Sequence, residues 1–103
     1  MKSCITCGMP LKGNHVGDIG LEVSEGLVCK FDSENGNIKN GKEIFEGGVN
    51  FFTNAATEGN RELATRITRK NMKSLRHWQQ HPFEELIGPE ATEDEFQTAM
   101  AKL

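Results

Sequence analysis

The sequence has no run of about 18 apolar residues, which a membrane-spanning helix requires, and no signal-peptide pattern before its first cysteine. It also lacks His-Glu-x-x-His, Gly-x-Ser-x-Gly and a phosphate-binding loop, so the common motifs of metallopeptidases, hydrolases and nucleotide-binding proteins are missing. Three cysteines are an odd number, which argues against a disulfide framework and favours thiolate chemistry. We therefore expect a non-enzymatic, cytoplasmic protein that does not enter the membrane.

The 103 residues are 36% hydrophobic and 26% charged, which is typical of a folded chain with one modest core. Residues 1–40 are rich in glycine and turn formers, and short apolar pieces at 19–23, 27–31 and Ile38 predict small strands. From Gly41 onward the apolar residues recur with helical period. We therefore predict an α+β fold, with small β hairpins in a domain of residues 1–40 and three to four short helices in a domain of residues 41–103.

The helical part divides into segments with recognisable starts and stops. A first helix is predicted over residues 42–54, a second over residues 61–78, a short turn near 82–87, and a last helix from the capping box Thr92-x-x-Glu95. The expected core-facing residues of the first and last helices are Ile44, Phe45, Gly48, Val49, Phe52 and Ala55, then Phe96, Ala99, Met100 and Leu103.

Two residues inside these apolar stripes are unusual. Gly48 permits close approach of another element, because it has no side chain. Asn71 in the second helix needs a hydrogen-bond partner if it is buried.

Charge is unevenly distributed, although the net charge is only −3. The second helix carries a basic stripe opposite its apolar face, made of Arg66, Arg69, Lys70, Lys73 and Arg76. The chain beyond Pro82 is strongly acidic. Either these basic and acidic side chains pair with one another within the protein, which we favour, or the basic stripe marks a face for an anionic partner such as nucleic acid.

The segment Cys4-Ile5-Thr6-Cys7-Gly8 has the pattern of a zinc knuckle, a tight turn that aims two thiolates at one metal ion. Cys29 is the only other cysteine, and Asp32 stands three residues later, where a second knuckle would place its cysteine. A carboxylate oxygen is an accepted zinc ligand with the same charge as a thiolate. We therefore predict one zinc ion bound by Cys4, Cys7, Cys29 and Asp32.

Other interpretations of these residues remain open. Asp32 begins an ordinary turn sequence that it could cap, His15 is another possible fourth ligand, and a site without metal would leave the cysteines as small buried hydrophobes. His77 and His81 lie four residues apart, and we interpret them as solvated surface rather than as ligands.

The opening Cys4-x-x-Cys7-Gly8-Met9-Pro10-Leu11 and the later Cys29-x-x-Asp32, followed by Asn35-Gly36, resemble the zinc ribbon domain proteins of bacteria and archaea. This resemblance covers residues 3 to about 45, and less specific similarity continues through residues 45–52 and 70–72. It implies zinc binding and a ribbon fold, but no reaction. Asp32 departs from the family pattern, which has a fourth cysteine there.

Together these features predict a structural zinc site that supports a protein-interaction module. We expect the module to bind a protein partner, and the chain could also form a homo-oligomer. The alternative is a nucleic-acid-binding adaptor that uses the basic stripe.

Overall fold

The N-terminal part of the computed structural model, which describes residues 2–103, contains two antiparallel hairpins. Strand β1 (Ile19–Val23) pairs with β2 (Gly26–Cys29), and β3 (Ser33–Glu34) pairs with β4 (Asn37–Ile38). Asn35 and Gly36 form the second turn with φ values of 52° and 79°, the left-handed pair that favours Asn-Gly in two-residue hairpins. A 3-10 turn, Gly13–Asp18, precedes β1.

Helices occupy most of the remaining chain: α1 (Gly41–Ala55), α2 (Arg61–Lys73), α3 (Arg76–Gln80) and α4 (Glu93–Met100). The side chains of Asn40 and Asn60 cap α1 and α2 by accepting backbone N–H bonds. Thr92 and Glu95 form the predicted reciprocal capping box of α4. The α+β class, with N-terminal hairpins followed by several short helices, is confirmed. No helix within residues 2–103 combines the length and apolar character needed to cross a membrane.

The single long helix predicted over residues 61–78 is wrong, because α2 ends at Lys73 and the chain leaves helical geometry at Leu75. The Ser74 hydroxyl and backbone N–H both donate to the Asn71 carbonyl oxygen, at 2.6 and 3.2 Å. This local bonding competes with continuation of the helix. Leu75 is extended, with φ −91° and ψ 130°, and α3 begins at the next residue.

The larger hydrophobic cluster lies among the helices and includes Ile44, Phe45, Val49, Phe52, Ala64, Ile67, Met72, Trp78 and Leu86. Two predicted members of the core lie elsewhere. Ala55 is exposed, because α1 ends there and the non-helical Ala56 is buried instead. Leu103 is 59% exposed, because α4 stops at Met100 and its periodicity does not reach the last residue.

A smaller cluster holds the hairpins together and is made of Cys4, Leu11, Val28 and Cys29. Ile38 of β4 packs against both clusters. The N-terminal hairpins therefore have few fully buried apolar side chains, and half of the buried members of their cluster are cysteines.

Gly48 provides the close approach that the sequence predicted. A Cβ atom at this position would lie 2.9 Å from Cγ2 of Thr68 on α2. Thr68 is almost fully buried, and its hydroxyl donates to the Ala64 carbonyl oxygen at 2.8 Å. At the neighbouring Gly47, a Cβ atom would meet nothing within 4 Å.

These adjacent glycines provide a matched test of α1–α2 packing. We expect Gly47→Ala to raise the free energy of unfolding by up to about 1 kcal/mol, through helix propensity alone. Gly48→Ala should be less stable than Gly47→Ala, because its methyl group collides with Thr68. Denaturant unfolding measures the free energy of unfolding of both variants. Adding Thr68→Ser removes the colliding methyl group, so it should reduce the difference in stability between Gly47→Ala and Gly48→Ala. Equal stabilisation by the two alanines would contradict the close approach.

Candidate metal centre

The knuckle residues form a tight turn that is attached to the strand carrying the third cysteine. The Cys4 N–H donates to the Met9 carbonyl oxygen and the Gly8 N–H to the Cys4 carbonyl oxygen, each at 2.8 Å. Gly8 has φ 81°, a conformation that a residue with a Cβ rarely adopts. The Ile5 N–H donates to the Leu27 carbonyl oxygen at 2.9 Å, which joins the turn to β2 and so to Cys29.

The structure brings together the four side chains that the sequence assigned to the metal. Ligand atoms of Cys4, Cys7, Cys29 and Asp32 all lie within 4.8 Å of one another. The cysteines are free, with Cys7 Sγ and Cys29 Sγ 3.7 Å apart and Cys4 Sγ and Asp32 Oδ2 3.8 Å apart. Zinc–ligand bonds of about 2.3 Å for sulfur and 2.0–2.2 Å for oxygen give tetrahedral edges of about 3.8 Å and 3.6 Å. The donor set and both distances therefore fit a tetrahedral zinc ion.

His15 is not part of this group. It is exposed on the 3-10 turn, where its Nδ1 lies 3.4 Å from Asp18 Oδ2. Of the two candidates for the fourth position, only Asp32 lies beside the cysteines in the part of the chain that the structure describes.

The crowding of these groups changes their protonation. Hydrogen bonds from Cys29, and next from Cys7, hold the pKa of Cys4 well below its usual range. Hydrogen bonding within the cluster, burial and neighbouring negative charge raise the pKa of Cys7 far above its usual range and that of Cys29 to about 12. Burial is the main cause of the raised pKa of Asp32. Without a cation, the cluster holds one thiolate easily and resists further negative charge.

Thr6, between the two knuckle cysteines, supports the candidate ligands although the sequence analysis gave it no role. It is fully buried, and its hydroxyl donates to Asp32 Oδ2 at 2.7 Å and lies 3.0 Å from Cys4 Sγ. The backbone N–H of Cys29 also donates to Cys4 Sγ, at 3.2 Å. Such outer contacts fix the orientation of metal ligands.

Two helix side chains bind the backbone of the knuckle. Asn71 Nδ2 donates to the Cys7 carbonyl oxygen at 3.0 Å, which supplies the partner that its place in the apolar stripe required. Trp78 Nε1 donates to the Thr6 carbonyl oxygen at 2.8 Å. This bond gives the buried indole N–H the acceptor that it needs.

The basic stripe of α2 lies against the acidic C-terminal segment. Arg66 bonds to Glu62 on its own helix at 2.7 Å and to Glu95 at the start of α4 at 2.6 Å. Lys73 pairs with Glu90 at 2.8 Å, and Lys70 lies 3.6 Å from Glu93. Arg69 instead donates to the carbonyl oxygens of Glu85 and Pro89, at 3.1 and 2.7 Å. The fifth member, Arg76, is exposed on α3.

These contacts show that four of the five stripe residues are bonded within the protein. Arg66 lowers the pKa of Glu95 to about 2, with help from the backbone N–H of Thr92, and Glu95 raises the pKa of Arg66. The stripe therefore attaches α4 and the acidic segment to α2.

With this geometry established, comparison with known families identifies the fold. A profile of the family described as Putative zinc ribbon domain matches residues 3–79. The chain therefore belongs to this zinc ribbon family, as its cysteine motifs suggested. The match continues past the hairpins into α3 and includes Asn71 and Trp78. Comparisons with curated proteins and with solved structures found no match.

The Arg66–Glu95 ion pair predicts that the folded protein loses stability in acid. The folded-state pKa of Glu95 is depressed from 4.5 to about 2, so its contribution to stability is present above pH 4.5 and is lost as pH falls toward 2. We expect Glu95→Gln to reduce the fall in unfolding free energy between pH 4.5 and 2, as measured by denaturant titration at each pH. The exposed neighbour Asp94→Asn is the control, and an unchanged pH profile in Glu95→Gln would contradict the assignment.

Proposed function

We propose that this protein is a non-enzymatic zinc-ribbon protein in which Cys4, Cys7, Cys29 and Asp32 hold one structural zinc ion. The observation that carries the proposal is the convergence of these four ligand atoms within 4.8 Å. Zinc supplies the positive charge that lets three thiolates and a buried carboxylate share one site, because metal ligands bind in their deprotonated form.

The number of protein ligands supports a structural rather than a catalytic role. Catalytic zinc sites keep one position open for water or substrate, whereas structural sites are closed by four protein ligands. Three sulfurs and one carboxylate already complete a tetrahedron here. The chain also lacks the hydrolase and peptidase motifs that would accompany catalysis.

The role that follows is to fasten the hairpins to the helices. The smaller cluster has only four buried members, two of which are the candidate ligands Cys4 and Cys29. Segments with so few buried apolar side chains depend on a metal or a packing partner for stability. Because Asn71 and Trp78 bind the knuckle backbone, ordering the knuckle also orders its contacts with α2 and α3.

Metal removal is the test of this role. After verified chelation, hydrogen exchange should show loss of protection in residues 2–40 before α1 and α2 lose theirs, because only the hairpins depend on zinc for a core. Cys4→Ser should give the same pattern without chelator. Unchanged protection of the hairpins in the metal-free protein would show that zinc does not fasten them.

Substitutions of Asp32 test whether its carboxylate is a zinc ligand. Asp32→Asn keeps the size but removes the anionic ligand, so zinc affinity, measured by competition with a chelator, should fall. Asp32→Cys should retain or raise the affinity, because it restores the common four-cysteine set. The exposed acid in β3 provides the control Glu34→Gln, which should bind zinc as the parent does. If Asp32→Asn binds as tightly as this control, Asp32 is not a ligand.

We further propose that the stabilised ribbon is a protein-interaction module. Support comes from Phe31, which follows Lys30 beside the metal centre and is 58% exposed, and from Phe51 on α1, which is 54% exposed. Exposed aromatic side chains are enriched at protein interfaces. A protein partner, or a second copy of this chain, would cover them.

The alternative of a nucleic-acid adaptor has less support, because the α2 cations already have partners. A salt titration of DNA and RNA binding tests it: if the stripe serves the fold, affinity is weak at low salt and changes little as salt rises. Nucleic-acid binding would instead be favoured if the logarithm of the binding constant falls steeply with the logarithm of the salt concentration. Lys73→Gln and Arg76→Gln should then reduce this slope, since each phosphate contact adds to it.

A further inference from the structure

A second group of metal-ligating side chains lies outside the cysteine site, between the β1–β2 turn and α3. It consists of Glu25, His77 and His81, whose ligand atoms all lie within 4.8 Å of one another. The interpretation of His77 and His81 as solvated surface is wrong for His77, whose side chain is only 10% exposed. We propose that these three residues form a second binding site for a divalent transition-metal ion of the zinc type.

His77 is the residue that points to a ligand. Its Nδ1 atom is buried and has no hydrogen-bond partner among the residues that the structure describes. Glu25 Oε2 is close, at 3.5 Å, but the two atoms do not form a hydrogen bond. A buried nitrogen without a partner is costly, and a metal ion would satisfy it.

The separation of these atoms suits two ligands of one ion. Zinc bonds of about 2.0–2.1 Å to nitrogen and 2.0–2.2 Å to oxygen give a tetrahedral edge of about 3.3–3.5 Å. The 3.5 Å between His77 Nδ1 and Glu25 Oε2 is therefore the spacing expected around a shared ion.

His81 is the C-terminal cap of α3, directly after the helix, with φ −131° and ψ 61°. The His81 N–H donates to the His77 carbonyl oxygen at 3.0 Å, so the two residues are one helical turn apart despite Pro82. Their ring centroids are 4.9 Å apart. Histidines at i and i+4 on one helix face can bind the same metal ion.

The chemistry of the group selects the kind of ion. Two imidazoles and one carboxylate favour zinc, copper or nickel over calcium and magnesium, which prefer oxygen ligands. Three protein ligands also leave one position open, unlike the closed cysteine site. Because Glu25 belongs to the hairpin turn and the histidines to α3, the ion would add a second link between ribbon and helices.

The first test uses the parent protein with one equivalent of zinc already bound. A further equivalent is then added while the ring nitrogens of all three histidines are followed by NMR. The signals of His77 and His81 should move and those of His15 should not. Unmoved His77 and His81 signals would overturn the proposal, and so would equal shifts of all three histidines, which indicate adventitious binding.

Variants of the exposed ligands give the second test without disturbing the buried histidine. His81→Gln and Glu25→Gln should each weaken binding of the second zinc ion at least about tenfold, while His15→Gln should not. If His81→Gln keeps the parent affinity, the second site is not this one.

The two proposed metal sites can be tested separately. Cobalt in the cysteine site gives thiolate charge-transfer absorption, whereas cobalt bound by Glu25, His77 and His81 does not. Loss of the charge-transfer bands in Cys4→Ser therefore reports on the first site, and the histidine NMR signals report on the second.

Discussion

Four groups that carry negative charge as metal ligands meet within 4.8 Å in a largely buried position, where their charge must be neutralised if all four are ionised. The raised pKa values of Cys7, Cys29 and Asp32 show that the protein alone resists full ionisation of the group. A divalent cation reverses this balance, because it makes the ionised ligands the favoured state. The tight turn at Gly8 and the attachment of the knuckle to β2 then serve to hold the ligands at metal-binding distance.

The helices are connected to the candidate metal centre by specific contacts. Asn71 and Trp78 bind the carbonyl oxygens of Cys7 and Thr6, and the change of direction at Ser74 and Leu75 separates the helices that carry them. The family match ends at residue 79, just after Trp78, and so includes both contacts. The acidic C-terminal segment lies beyond the match and is attached through the basic stripe of α2.

Local patterns predicted much of this structure. The spacing of Cys4, Cys7 and Gly8 identified the knuckle, the three-residue interval from Cys29 selected Asp32, and apolar periodicity located α1 and the start of α2. Most of the missed features depend on distant partners. The end of α2 at Lys73 is the exception, because the bonding of Ser74 to Asn71 is local but apolar periodicity does not report it. The role of Thr6 depends on how the fold brings Asp32 against the knuckle. The burial of His77 is of the same kind, since it requires the hairpin turn to cover α3.

Zinc K-edge X-ray absorption of the protein loaded with one equivalent of zinc tests the ligand set directly. We expect a four-coordinate ion with three sulfur neighbours at about 2.3 Å and one oxygen neighbour at about 2.0–2.2 Å. Asp32→Cys should convert this to four sulfur neighbours. A zinc ion with fewer than three sulfur ligands, or the same spectrum in Asp32→Cys as in the parent, would contradict the assignment of Cys4, Cys7, Cys29 and Asp32 as one metal centre.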